Sequence, residues 1–338
     1  MILFTPYQLG QLSLKNRIVM PPMCMYCADE SGKINDFHHT HYESRAIGGV
    51  GLIIVEATGV VPNGRISESD LGLWNEEQQN AFVPLVNKIK QHGARVGIQL
   101  AHSGRKHIGM TEYPVGPSPI AFDVKSRTPH ELTFEEIQII IEQFKAATLR
   151  ADQAGFDTVE IHAAHGYLIH EFLSPLSNVR TDAYGGSYDN RLRLLKETLH
   201  EARSILSPEK PLLLRISATD YLEGGLTVDD FVNIVNDIKE YIDIVHVSSG
   251  GLLTAPMNVF PGYQLHLSET IKKSCKIGTI AVGLITDSLM IEEILGNQRA
   301  DLVALGRELL RNPYFVLQQA KRFHQDFTYP SSYERGFK

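Results

Sequence analysis

The sequence predicts a (β/α)8 barrel, and three observations carry the prediction. Eight short apolar runs, rich in Val, Ile and Leu, recur along the 338 residues. They are nearly continuous rather than alternating, as strands buried on both faces of a parallel sheet are. Segments with helical spacing lie between them, and that alternation marks an α/β fold with right-handed crossovers. Eight such units in a chain of this length fit a TIM barrel with extended βα loops. The alternative is a doubly wound open sheet. It calls for a Gly-x-Gly-x-x-Gly turn after an early strand, and the sequence has none.

In chain order, the strand runs are 17–21, 51–57, 95–101, 157–163, 212–217, 243–249, 278–283 and 301–306. A helix over 80–91 carries Phe82, Leu85, Val86 and Ile89 on one face. Phe134, Ile137, Ile141 and Phe144 mark the next, with Thr133-Phe134-Glu135-Glu136 as a capping box in front. Leu192, Leu195 and Leu199 mark another helix, and Thr227 caps one holding Phe231, Ile234 and Ile238. Ile291, Ile294 and Leu295 mark the helix before the last strand. The longest gaps are 102–132 and 164–190, and long loops on one face are where a barrel keeps its chemistry. No Pro/Ser-rich linker divides the chain, so one domain over 1–338 is expected.

Hydrophobic residues make up 43% and charged residues 21%, ordinary globular usage that excludes a disordered tail protein, a collagen and a coiled coil. The net charge of −7 is wrong for nucleic-acid binding, which needs a basic surface. Three cysteines (Cys24, Cys27, Cys275) do not make a disulfide framework. The N-terminus lacks a signal-peptide pattern, and the best apolar stretch, 48–62, is broken by Glu56. Nothing reaches the ~18–20 residues that span a bilayer. A cytoplasmic protein without membrane or nucleic-acid partners is expected.

The residues leaving the strands form a barrel's active face. Pro21-Pro22-Met23-Cys24 leaves the first strand and Glu56-Ala57-Thr58 the second. Gln99 and His102 follow from the third, His162 and His165 from the fourth, and Arg215 from the fifth. The last three strands end in Ser248-Ser249-Gly250-Gly251, Gly283 and Gly306-Arg307. Glycine after strand seven and Gly-Arg after strand eight suit a phosphate. Arg215 in an apolar strand is costly unless it meets an anion or strong acceptors. An internal ion pair satisfies it, as does an anionic cofactor, and the nearby Gly306-Arg307 favours the cofactor. In His162-Ala163-Ala164-His165-Gly166-Tyr167, two imidazoles suit a carbonyl or phenolate oxygen and Tyr167 suits proton delivery. Core-packing histidines and a zinc site are the rival readings. A catalytic zinc needs a third protein ligand, and strand one offers only prolines and sulfur. Cys24-x-x-Cys27 lacks the second pair of a zinc ribbon, so Cys24 reads as a thiol near a cofactor and Cys27 as incidental. His38-His39-x-His41 reads as a solvated helix face.

Residues 162–187, HAAHGYLIHEFLSPLSNVRTDAYGGS, join PPMCMY at 21–26, GIQLAH at 97–102 and ALGR at 304–307. Together they resemble the Old Yellow Enzyme family of flavin ene-reductases, and the likeness runs from 3–6 to 333–336. The pattern is most similar to the bacterial NADPH dehydrogenase, or xenobiotic reductase, branch, with its Cys after strand one and Arg in the tail. The resemblance implies FMN bound non-covalently, NADPH as reductant and α,β-unsaturated carbonyl substrates, with nitro compounds as further oxidants in a detoxifying role. Hydride would pass from NADPH to the flavin and then to the alkene in a ping-pong cycle. Pro21, Pro22, Met23 and Cys24 would line the flavin, with Ala57 near its rings and Cys24 tuning its potential. Gln99 and Arg215 would bond the ring and ribityl chain, and Gly283, Gly306 and Arg307 the phosphate. His162 and His165 would bind the substrate carbonyl, Tyr167 would protonate carbon, and Tyr26 would add a second phenol. No metal is implied. Pro21 stands where the family often has a small hydroxyl residue, leaving only backbone there. Arg335, in a tail over 330–338, would complete a neighbouring subunit's pocket in a homotetramer built as a dimer of dimers. A 2,4-dienoyl-CoA reductase-like enzyme would need an iron–sulfur cysteine cluster, which three cysteines do not supply. A non-catalytic flavin-binding barrel would not need the His162, His165 and Tyr167 set.

Overall fold

A computed structural model describes residues 1–337. Eight parallel strands close into a barrel: β1 Ile18–Met20, β2 Leu52–Gly59, β3 Arg95–Ala101, β4 Thr158–Ala163, β5 Leu212–Ser217, β6 Ile244–Ser248, β7 Gly278–Ala281 and β8 Leu302–Ala304. Each pairs with the next, and β8 returns to β1 through Val303 opposite Ile18 and Ala304 opposite Val19. Every apolar run of the sequence coincides with one of these strands, β2 continuing two residues past the end of its run. All eight residues of β2 are buried, because helices cover its outer face and the barrel interior its inner one.

The covering helices are α1 Asp36–Ile47, α2 Glu76–Gln91, α3 Phe134–Gln153, α4 Tyr188–Ile205, α5 Val228–Ile238, α6 Leu265–Cys275, α7 Ser288–Gly296 and α8 Phe315–Arg322. The predicted caps form: Thr133 with Glu136, and Thr227 with Asp230, make reciprocal capping boxes. The helix expected over 80–91 begins earlier. Asn75 accepts from Gln78 N at 2.9 Å, and Gln78 Oε1 accepts from Trp74 N at 2.7 Å. This Asn-x-x-Gln box adds a polar first turn that apolar periodicity does not register.

Inside the barrel, Val19, Leu52, Ile54, Leu213, Ile244, Ile280, Leu302 and Ala304 pack with Leu9 and Leu14. The last two come from an antiparallel hairpin, Tyr7–Leu9 with Leu12–Leu14, that plugs the amino-terminal end. A larger apolar layer lies between strands and helices. The two long loops rise at the carboxyl ends. One contains a short strand pair, Val115–Gly116 with His130–Glu131, and the other a six-residue helix, Leu168–Leu173. No helix among the described residues is long and apolar enough to cross a membrane.

Candidate active site

Side chains alternate along a strand, so Leu213 and Ile244 in the inner plug put Arg215, Ser217, His246 and Ser248 on the same inward face. Arg215 is in register with both His162 and His246, and Gln99 with Glu160. A buried polar layer therefore sits directly above the apolar plug. Gln99 Nε2 donates to Glu160 Oε1 at 2.7 Å, and His246 Nδ1 meets Glu160 Oε2 at 2.8 Å. Arg215 is only 8% exposed. Its Nη1 donates to Pro22 O at 3.4 Å, while its Nε has no hydrogen-bond partner among the described residues. Burial lowers its pKa, with the Glu160 carboxylate opposing that effect. A guanidinium this dry and this poorly satisfied is built to meet another acceptor.

Beside Arg215, in register with it on β4, stands His162, and with it His165 and Tyr167. The His162 ring lies 5.2 Å from that of His165 and 4.9 Å from that of Tyr167, edge-on to both. His162 Nδ1 accepts from Ala164 N at 3.2 Å, which leaves its Nε2 as the donor. His165 has a left-handed backbone, φ 59°. Its N–H donates to Ser217 Oγ at 2.9 Å, its ring Nε2 meets Ser248 Oγ at 2.8 Å, and its carbonyl accepts from Lys106 Nζ at 2.8 Å. Lys106 also lies 5.6 Å from the centre of the Tyr167 ring. Burial first, and Arg215 second, hold both imidazoles well below their ordinary range, so they are uncharged. Burial raises the Tyr167 phenol far above its usual range, so it keeps its proton.

The segment after β1 crosses the same mouth. Pro21 and Pro22 are buried, Met23 and Cys24 half-buried, and Tyr26 is exposed with φ 54°. Burial, with Asp70 and Glu56 adding to it, pushes the Cys24 thiol up to about 12, so it is no thiolate at neutral pH. Glu56 anchors this segment from β2. Its Oε2 accepts from Met25 N at 2.7 Å and its Oε1 from Tyr42 OH at 2.9 Å. Burial raises the Glu56 carboxyl to about 7. Ala57, the next residue, is buried at the same rim.

At the ends of β7 and β8 a cavity of about 240 Å³ is lined by Arg215, Ser248, Gln264, Gly283, Gly306, Arg307 and Arg311, among others. Gly283 has φ 132°, and a Cβ there would come within 3.1 Å of Gln264 Nε2. Three guanidiniums around one cavity, one of them buried with an unpaired nitrogen, suit a phosphorylated cofactor.

The structure thus gathers all the expected site residues around one mouth except Arg335. That residue is exposed, on a tail helix Glu334–Phe337 lying against α8. Tyr333 packs edge-on to Tyr314 at 5.8 Å, and Lys321 Nζ donates to Gly336 O at 3.0 Å. The histidines of α1 correct the sequence reading. His38 and His41 are 0% and 5% exposed, not a solvated face. His38 Nδ1 accepts from Asn35 N at 3.1 Å, closing the helix cap, while its Nε2 faces Glu56 at 3.8 Å. Among the described residues no three His, Cys, Asp or Glu side chains form a metal-binding group. Sequence reasoning missed Glu160, His246 and Lys106 as parts of the site, and it placed Glu56 at the end of the second strand without a role. The first two are polar residues inside apolar runs, the signal that singled out Arg215.

A closed parallel barrel with a cationic cavity and an uncharged His–His–Tyr cluster at its carboxyl-terminal mouth defines a TIM-barrel enzyme with a built-in site for an anionic cofactor. The NADH:flavin oxidoreductase / NADH oxidase family pattern matches residues 2–326, and the chain belongs to this family, the Old Yellow Enzyme family of oxidoreductases. The NADPH dehydrogenase of Clostridium acetobutylicum is 58% identical over 338 residues, covering 100% of both chains. That of Bacillus subtilis is 50% identical over 99% of both. Morphinone reductase in complex with tetrahydroNAD superimposes with a TM-score of 0.80 at 29% identity, covering 97% of this chain and 92% of that one. A 2-naphthoyl-CoA reductase in complex with 2-naphthoyl-CoA superimposes at 0.89 with 27% identity, and this chain spans 52% of its length.

Proposed function

We propose that the protein is an NADPH-dependent, FMN-containing ene-reductase for α,β-unsaturated carbonyl compounds, working by a ping-pong cycle. The observation that carries this reading is a juxtaposition: buried Arg215 in register with His162, whose ring packs against those of His165 and Tyr167. Pro21, Pro22, Met23, Cys24, Ala57, Gln99 and Arg215 would hold the flavin ring and chain, and Gly283, Gly306 and Arg307 the phosphate. When bound, FMN supplies hydride transfer, taking hydride from NADPH and giving it to the β-carbon of the alkene.

The chain's own residues supply the rest. His162 and His165, as uncharged imidazoles, hold the substrate carbonyl oxygen and stabilise the charge that grows on it, as an oxyanion hole does. Tyr167 gives a proton to the α-carbon, and its raised pKa keeps that proton in place until the carbanion character develops. Tyr26 borders the substrate from the β1 side. Nitro compounds are a second class of oxidant for the same pocket. We further propose a cytoplasmic homo-oligomer, a dimer of dimers, with Arg335 serving a neighbouring subunit's site.

The visible spectrum of the purified protein tests the cofactor, and NADPH oxidation with cyclohexenone tests the activity. A flavin spectrum, FMN released on heating, and saturated ketone as product are expected. A protein that takes up no FMN, or a flavoprotein that leaves the alkene intact, would overturn the reading.

A further inference from the structure

His170 and Asp220 take no part in the site described above, yet both side chains are fully buried directly behind it. His170 lies on the short helix Leu168–Leu173, and Asp220 follows β5. Gly166 N donates to His170 Nδ1 at 3.0 Å. That nitrogen is therefore an acceptor, so the ring proton sits on Nε2. Nε2 stands 2.9 Å from Asp220 Oδ1, a contact off the axis of the ring N–H. Asp220 is fixed in turn: its Oδ2 accepts from Ser174 Oγ and from Leu226 N, each at 2.8 Å. Burial works to raise the Asp220 carboxyl, but the His170 contact and these donors outweigh it and hold its pKa below the usual value.

The far end of this chain of contacts is the turn that carries the reacting groups. His165 and Gly166 are consecutive left-handed residues, φ 59° and 69°. For a histidine that conformation is strained and persists only where its surroundings impose it. A Cβ at Gly166 would fall 2.3 Å from Gly251 O, so no other residue type fits that corner. Ser217 holds the turn by the N–H of His165, and Lys106 holds it by the carbonyl of His165. His170 holds the next peptide N–H, the one between His165 and Tyr167.

We infer that His170 and Asp220 are a positioning pair for the substrate-protonating turn. Asp220 fixes the tautomer and orientation of His170, and His170 fixes Gly166, thereby setting the relative placement of His165 and Tyr167. The inference rests on the proposed ene-reductase reading. Neither residue lines the cavity at the ends of β7 and β8, so the pair acts through the turn on the enone step and leaves cofactor retention and reduction alone.

The test uses the holoenzyme and His170→Leu, His170→Asn and Asp220→Leu. An asparagine keeps a carbonyl acceptor near the Nδ1 position for Gly166 N–H, whereas leucine keeps none. Phenol affinity is read from the flavin absorbance, and the two half-reactions are read by stopped flow. His170→Leu and Asp220→Leu are expected to weaken phenol binding and slow reoxidation by cyclohexenone roughly ten- to hundredfold, the effect of a small misplacement of reacting groups. Flavin content and reduction by NADPH stay native, and His170→Asn recovers most of the loss. Native phenol affinity and native half-reactions in His170→Leu would overturn the pairing. So would a His170→Asn variant as damaged as His170→Leu, which reduces the role to filling space. Nitrogen-15 NMR of the unmutated protein reads the tautomer directly and decides the matter if the leucine variants do not fold: a proton on Nδ1 refutes the inference. Failure of the native protein to reduce cyclohexenone would refute the functional reading instead, and the NMR result would be untouched by it.

Discussion

At the residue scale, the site divides into groups that hold charge and groups that hold protons. Tyr167 belongs to the second kind. Its phenol keeps its proton at neutral pH, and only the alkene half of the proposed cycle puts a proton on carbon. Tyr167→Phe is therefore expected to slow reoxidation by an enone at least tenfold and leave reduction by NADPH near native. Stopped-flow traces in which neither half changes would remove Tyr167 from its role. Arg307 belongs to the first kind. It is exposed at the cavity rim, unlike Arg215 on the barrel floor, so its removal leaves no buried hole. Charge-assisted hydrogen bonds of this type contribute about 1.5–3 kcal/mol. Arg307→Ala should thus weaken FMN binding by roughly ten- to a hundredfold at unchanged thermal stability of the apoprotein, measured by fluorescence titration with FMN. Unaltered affinity would place the phosphate elsewhere.

At the scale of elements, β2 shows how the frame presents its side chains. The register with β3 shifts between Val55 and Thr58, and Glu56 sits in that bulge. The bulge takes the Glu56 N–H out of the ladder, and Tyr42 OH of α1 accepts it at 3.0 Å while donating to the same residue's carboxyl. Burial lifts that carboxyl from 4.5 to about 7, so between these values the folded protein binds more protons than the unfolded chain. This stabilisation is complete below about pH 4.5 and is lost as pH rises through about 7, by on the order of 3 kcal/mol. Glu56→Gln keeps a carbonyl acceptor for only one of the two donors, Met25 N and Tyr42 OH, which costs stability at every pH, but it has no charge to lose, so its urea midpoint should fall less than the native one between about pH 5 and 8. Parallel slopes would refute this account of Glu56. The same strand shows what was legible in the sequence. The strands read clearly because burial on both faces writes itself as unbroken Val and Ile. Arg215, His162, His165 and Tyr167 stood out as polar breaks or a dense motif. Glu160 and His246 interrupt their runs just as Arg215 does, but their meaning depends on each other, 86 residues apart in the chain. The α1 histidines misled because a cap at His38 Nδ1 and a contact with Glu56 are tertiary facts, invisible to local periodicity.

At the scale of the whole molecule, the tail lies at the wrong end of its own barrel to serve its own site. Tyr329 and Glu334 border a cavity shared with Lys15, Gly49 and His92, which precede β1, β2 and β3. The reacting cluster lies beyond the carboxyl ends of the strands. Lys321 and the stack of Phe337 on Tyr329 at 4.5 Å hold the tail helix there, and Arg335 is left exposed on it. An exposed arginine flanked by aromatics has the composition of an interface anchor. Any substrate pocket that Arg335 completes must therefore be that of a second copy. On this reasoning, deleting residues 333–338 should raise the Michaelis constant for cyclohexenone or weaken phenol binding severalfold, because the guanidinium proposed for the rim of a partner's pocket is lost. FMN content should not change, since the residues proposed to hold it all lie within the barrel. Light scattering of the full chain should give an oligomer. A monomeric full chain, or a truncated one with native kinetics, would show that the tail only covers the outside of its own barrel.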